Sequence, residues 1–385
     1  MRKLGRPFAL AVFIVGSIAL IRDTFYNGHD FEVFWRAGGD LLQGRDPYSL
    51  AHERGMVFKY PPWSLPFFLP WSFLPLAVAK ALWGVFQIGS LLAACLWLRK
   101  LGRSSWVSIF VVGVSFWGLW AVHALDGQIA LLLLALALWL WPREPELSPG
   151  WRSSALIWTL SMKVFTGLPL FGFKLERRWV FALALAAPIL ALLSIPALVA
   201  GVAGGPMQLL KHWAAAAGSS GASIFGDHLR GSFNPSFTGA LLFALHVPAG
   251  QVTTELEAAA GLALVLGAAW KRASRKRTPE EQWAGWLALV PAVHPLPWWH
   301  LFVFTFPLAV LAVDRAARSR KKGKRRAKIV ASVLACAGVF LLGAGTHRFL
   351  GVFGLEQLGV FLERVGGKAF GALFCGLSLL TLDKF

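Results

Sequence analysis

The chain has 385 residues, of which 56% are hydrophobic and only 15% charged, with 19 Trp, 30 Phe and a net charge of +19. So little charge beside so many aromatic residues excludes an ordinary soluble protein. The basic excess does not mark a nucleic-acid binder, because it is gathered into clusters between apolar stretches, the pattern that orients a polytopic membrane protein with its basic loops inside.

The opening MRKLGR followed by an apolar run resembles a signal peptide, but IRDTFYNGHD offers no cleavage site and reads as the end of a retained first helix, about residues 7–21. With the N-terminus cytoplasmic, residues 22–76 form the first extracytoplasmic loop. A second helix over about 77–98 returns to RKLGR, a third over about 106–122 goes out again, and HALDGQ is a short outer loop. A fourth helix over about 128–141 comes back to the cytoplasmic turn WPREPELSPGWR. Residues 153–173 must then begin and end inside. Two short helices meeting near Lys163, or one re-entrant loop, satisfy that and lift Lys163 toward the outer surface. Another helix covers about 179–200, a loop runs to about Asn234, and one or two segments lead to KRASRKR. LALVPAVHPLPWWHLFVFTFPLAVLAV reads as two helices hinged outside at Pro295 and Pro297, 314–328 is a basic cytoplasmic loop suited to anionic membrane lipids, and two more helices finish the chain. The expectation is a single all-α integral-membrane domain over 1–385, with about 12 transmembrane or re-entrant helices by the length rule.

Within the first outer loop, Phe31, Phe34, Trp35, Gly38, Leu41 and Leu42 recur at helical spacing while Glu32, Arg36, Asp40 and Gln43 take the other face. This predicts an amphipathic helix over 30–43 lying in the membrane interface and stopped by Gly44. Asp30 stands at its start, where an Asp caps the free backbone N–H groups as readily as it does chemistry. On this topology Asp30, Asp126, Gln128, Lys163, Asn234, Trp299 and His300 share the outer side. Charges beside an apolar body are costly unless used or paired, so the one-sided collection predicts an extracytoplasmic site.

The run D-F-E-V-F-W-R-A-G-G-D-L-L-Q-G-R-D-P-Y, then F-K-Y-P-P, Gly127-Gln128 opening a helix, Met162-Lys163, Asn234-Pro235-Ser236 and H-P-L-P-W-W-H together resemble glycosyltransferase family 87. These are membrane GT-C enzymes that include the mycobacterial phosphatidylinositol-mannoside mannosyltransferase. The resemblance spans about residues 30–300 and implies a GT-C-like fold in a cytoplasmic (inner) membrane, with the active site facing the periplasm or exterior. It further implies a polyprenyl-phosphate sugar donor, mannose by its best-known members, a lipid or glycolipid acceptor, and inverting transfer with no metal or cofactor. One carboxylate suffices for such transfer, since it takes the acceptor hydroxyl proton while a lipid phosphate leaves as an anion without an acid.

On that resemblance Asp30 is the catalytic base, with Asp126 as rival. His300 and then Lys163 are the first candidates to meet the leaving phosphate. Gln128 and Asn234 offer amides to sugar hydroxyls, Tyr48 and Tyr60 offer phenols, Trp299 with Trp298 offers a stacking surface, and Arg36 or Arg45 could reach a phosphate. Each has a plainer reading: a snorkelling lysine, an interfacial aromatic, a turn-forming Asp before Gly, or an arginine paired with Asp40 or Asp46. Cys95, Cys336 and Cys375 sit in apolar stretches without metal spacing, and no histidine pair has HExxH spacing. The 201–233 region departs most from the family pattern, so the acceptor is the least specified partner. A transporter or flippase of an anionic lipid or lipid-linked sugar is the alternative, though it would hold polar groups at the midplane of paired repeats.

Overall fold

A computed structural model describes residues 2–49, 56–140, 159, 162–163, 208–216, 236–247, 252–294, 298–318 and 325–382, and every regular element among them is helical. The expected segments at 153–158, 164–173 and 179–200 lie outside the described residues, as do Asn234 and the hinge residues 295–297. Three described helices are long and apolar enough to cross a membrane, four if a bent pair counts as one, so the expected number of about 12 spans is not reached among the described residues. The chain divides into two compact units interleaved in sequence: Met1–Leu91, His123–Gly167 and Leu175–Ala222 in one, Leu92–Val122, Leu168–Lys174 and Ser223–Phe385 in the other.

In the first unit α1 (Arg2–Tyr26) runs five residues past its expected end and stops at Gly28, whose left-handed φ of 47° no L side chain adopts easily. α2 (His29–Leu42) is the expected amphipathic helix, and it ends where Gly44 turns left-handed at φ 67°. Its apolar face buries Phe31, Phe34 and Leu41. Phe34 meets Phe68 at 4.5 Å and Tyr60 edge-on at 5.0 Å, and Phe31 stacks on Trp83 at 4.7 Å, each such pair adding about 1 kcal/mol beyond burial. Short helical turns at Pro62–Ser64, Leu65–Phe68 and Leu69–Phe73 supply Phe68 and lead to α3 (Leu76–Lys100). Lys80 of α3 donates to the Asn27 carbonyl at 2.8 Å and pairs with Glu32 at 3.2 Å, fixing the turn on which α2 starts.

The predicted third helix is in fact two, α4 (Trp106–Ser115) and α5 (Trp117–Asp126), bent by 62° at Phe116. The cause is packing within the second unit: the Gly343 backbone lies so close that a Cβ there would be 1.9 Å from the Ser115 carbonyl oxygen. α6 (Ala130–Leu140) follows, and α7 (208–216) is a helix where the sequence suggested loop.

The rest belongs to the second unit: α8 (Phe237–Ala244), α9 (Val252–Ala273), α10 (Pro279–Val293), a 3-10 segment Trp299–Thr305 running into α11 (Phe306–Arg318), α12 (Arg325–Val339) with a π turn at Phe340–Ala344, α13 (His347–Gly351), α14 (Glu356–Arg364) and α15 (Gly367–Thr381). Most of the expected basic loop 314–328 is therefore helix: residues 314–318 close α11 and 325–328 open α12. KRASRKR closes α9 with Lys271–Ala273 and turns through Ser274–Arg277 into α10, which Thr278 caps by accepting from the Glu281 N–H. α12 and α15 pack through small residues, Ala331, Ala335 and Gly338 against Gly371 and Cys375, with Ser378 donating to the Ala331 carbonyl at 2.7 Å.

One charged clasp holds the basic end of this unit. Asp314, 1% exposed, accepts from the Ser105 N–H at 2.7 Å and the Ser108 hydroxyl at 3.1 Å and pairs with Arg318 at 2.7 Å. Arg315 bridges to the buried Glu281 at 2.8 Å and to the Gly102 carbonyl at 3.2 Å. Replacing Asp314 by Ala leaves those donors without an acceptor and is expected to lower stability by about 3 kcal/mol, read as an earlier thermal transition in detergent.

Candidate active site

Four of the residues singled out from sequence converge in the first unit on one amide. Gln128 donates through Nε2 to Asp30 Oδ2, while its Oε1 accepts from Lys163 Nζ at 2.9 Å and from the Tyr60 hydroxyl at 3.1 Å. With two donors on Oε1, the amide can only turn its NH₂ toward the carboxylate. Lys163 also lies 5.3 Å from the centre of the Tyr60 ring, a cation–π distance. Tyr48 is one step further out, donating to the Tyr60 backbone carbonyl at 2.8 Å. It therefore positions Tyr60 from behind.

Asp30 is not the helix cap. Gly28 takes that place with no side-chain cap bond, and Asp30 lies inside the first turn of α2. This corrects the simpler reading of the aspartate and leaves its carboxyl for Gln128. Gln128 itself is placed by Gly127, which holds φ 69° and lies so close to α2 that a Cβ would stand 2.8 Å from Phe31 Cβ. Behind that turn, buried His123 accepts the Leu131 N–H on Nε2 at 3.0 Å, so its Nδ1–H faces Gln87 Oε1 at 2.9 Å. Trp83 donates to the Gly127 carbonyl at 2.9 Å. Substituting Ala for Gly127 is expected to strain the turn by about 1–2 kcal/mol. Because Phe31 must move with Asp30, any activity that depends on Asp30 is expected to fall by at least about tenfold, as a small misplacement of a reacting group can do. Paired melting and rate measurements on the variant check this.

The electrostatics follow from this crowding. Burial pushes the Asp30 carboxyl up to about 7, and the Asp126 carboxylate pushes the same way, while Lys163, Lys59 and His29 pull it back. Lys163 is held down to about 8 by burial against the pull of Asp30 and Asp126. Burial, with Asp30 nearby, raises the Tyr60 phenol well above its usual range, so it stays a donor. The result is a carboxyl that exchanges its proton near neutrality beside a cation.

The remaining sequence candidates are placed differently. Arg45 pairs with Asp40, one of the two acids weighed for it, whereas Arg36 pairs with Glu32, so neither is an idle phosphate ligand. His300 (3% exposed) and Trp299 lie on the 3-10 segment of the second unit, where the Lys368 ammonium sits 5.2 Å from the Trp299 ring centre. Trp298 beside them is exposed. Asn234 is outside the described residues.

Sequence reasoning missed Lys59, whose charge bears on Asp30, and the clasp formed by α7. There Trp213 donates to the Lys59 carbonyl at 3.0 Å and packs edge-on against Trp63, and His212 Nδ1 lies 2.8 Å from Asp46 Oδ2. The only signal was Lys59's place inside F-K-Y-P-P; nothing local in GVAGGPMQLLKHW announced its partner. Among the described residues no group of three or more His, Cys, Asp or Glu side chains is arranged to hold a metal ion.

The family model of glycosyltransferase family 87 matches residues 58–293. No curated protein and no solved structure matches the chain.

Proposed function

The chain belongs to glycosyltransferase family 87, and on that premise we propose that it is an inverting membrane transferase. It moves a sugar, mannose by resemblance, from a polyprenyl-phosphate donor to the hydroxyl of a lipid or glycolipid acceptor at the outer face of the cytoplasmic membrane. The observation that carries this reading is the Asp30–Gln128–Lys163–Tyr60 cluster: one carboxyl held by an amide, titrating near neutrality, with a cation two hydrogen bonds away.

In this mechanism Gln128 fixes Asp30 Oδ2 and leaves Oδ1 to receive the acceptor's hydroxyl proton as that oxygen attacks the anomeric carbon. The bond to the phosphate breaks on the opposite face, and the phosphate departs as an anion needing no proton. Lys163 stabilises developing negative charge and keeps Asp30 ionised. Gln128, with both ends of its amide engaged, serves to position Asp30 in preference to the sugar contact expected from sequence. The phosphate and stacking roles proposed for His300 and Trp299 rest on the resemblance of H-P-L-P-W-W-H alone.

The stereochemistry of the product tests the one-carboxylate route. NMR of purified product is expected to show the new glycosidic bond with the anomeric configuration opposite to that of the donor. Retention would require a covalent sugar intermediate and would remove Asp30 from the role of simple base.

A further inference from the structure

The sequence reading ended the chain with two more helices, and between them the chain forms the short helices α13 and α14, with large apolar side chains turned outward. Val352 is 80% exposed, Phe353 64%, Phe361 59% and Leu358 45%. α14 is arranged in three arcs when its residues are projected at the helical period of about 100° each. Gly359 and Glu363 face the protein; Glu356, Gln357 and Arg364 form an exposed polar arc; Leu355, Leu358 and Phe361 form an exposed apolar arc beside it. A helix bathed in water would hide Leu358 and Phe361 and show Glu363, which is only 1% exposed and whose charge bears on the buried Lys368 of α15. A helix with one face on protein, one toward water and one toward hydrocarbon fits the boundary of a bilayer.

The flanking helices identify what covers the apolar arc. α12 with its π turn is a spanning-length segment that opens on Arg325, Arg326 and Lys328, so α13 and α14 lie at its other end, before α15 returns. Both neighbours carry outward apolar side chains, Val333 and Phe340 on α12 and Phe370 and Leu377 on α15, and the arc of α14 continues that lipid-facing surface. We propose that α13 and α14 form an interfacial foot whose Phe349–Phe361 face is embedded in the lipids of the leaflet opposite the basic loop. It would anchor the start of α15, and with it Lys368, at a fixed depth. The inference is independent of the transfer reading and needs only that the chain spans a membrane.

Its test uses nanodisc-embedded protein in which Cys95, Cys336 and Cys375 are replaced by Ala and one spin label is placed through Leu358→Cys, Phe361→Cys or Gln357→Cys. Labels at 358 and 361 are expected to be relaxed more by oxygen than by a water-soluble nickel chelate, and the label at 357 the reverse. Equal nickel access at all three positions would overturn the proposal. The unmodified chain gives a second reading: a phospholipid with a diazirine on its acyl chain is expected to mark peptides covering 349–361. Marking of α12 and α15 without 349–361 would contradict it, and cross-linking of two copies through 349–361 in place of lipid would assign the face to a dimer.

Discussion

Asp30→Asn is expected to lower sugar transfer by about 10²–10⁴-fold, and toward the upper end, the range a positioned general base supplies. The substitution keeps the shape, and an Asn carbonyl can still accept from Gln128 Nε2, so the variant should fold and bind donor while losing the proton acceptor. The comparison that gives this meaning is Asp126→Asn. Asp126 is one of the charges raising the Asp30 carboxyl. Its removal should therefore cost much less activity and move the acidic limb of the pH–rate profile below about 7. If Asp126→Asn were the variant that abolished transfer while Asp30→Asn stayed active, the base would be Asp126. Initial rates of label incorporation across pH 5.5–9 separate the two.

Lys163→Met should have the second largest effect, a fall of about 10²-fold in kcat/KM, as when one charge-stabilising donor is lost. The sign of its pH effect is fixed. On the proposed mechanism Asp30 acts as base only when ionised, so rate should climb through its raised pKa of about 7. Lys163 is among the groups holding that value down; without it the acidic limb moves upward. The alkaline limb near 8, where Lys163 gives up its proton, should disappear at the same time. The two groups interact, so both limbs belong to the pair. Lys163→Arg, which keeps the charge, should restore part of the rate. An unchanged profile in Lys163→Met would remove the lysine from the site.

Much of this arrangement was legible in the sequence, for reasons that can be stated. The period of Phe31, Phe34, Gly38 and Leu41 gave α2 to within a residue, because one buried face governs that helix and Gly44 ends it. Asp30, Gln128, Lys163 and Tyr60 were chosen one by one from motif positions; their meeting on a single amide depends on long-range packing that no local pattern encodes. The break at Phe116 was invisible for the same reason, since it is imposed by Gly343, more than two hundred residues away in sequence. The length of α1 was missed because Arg22 and Asp23 look like loop while the backbone continues to Tyr26 and stops only at Gly28. The basic clusters showed charge but not helix, so the opening turn of α12 and the Asp314 clasp were read as one loop. Arg36, singled out as a phosphate ligand, is instead taken up by Glu32, four residues earlier on the same helix.

The proposed activity is the transfer of sugar from a lipid phosphate. It is tested most directly by incubating the protein in nanodiscs with a panel of labelled polyprenyl-phosphate sugars and a membrane-lipid extract and counting label in new lipid products. Incorporation from one donor, mannosyl first, at a rate proportional to enzyme is the expected result. Absence of product from every donor, with the same protein moving labelled lipid between the leaflets of vesicles, would contradict it and establish the transporter reading in its place.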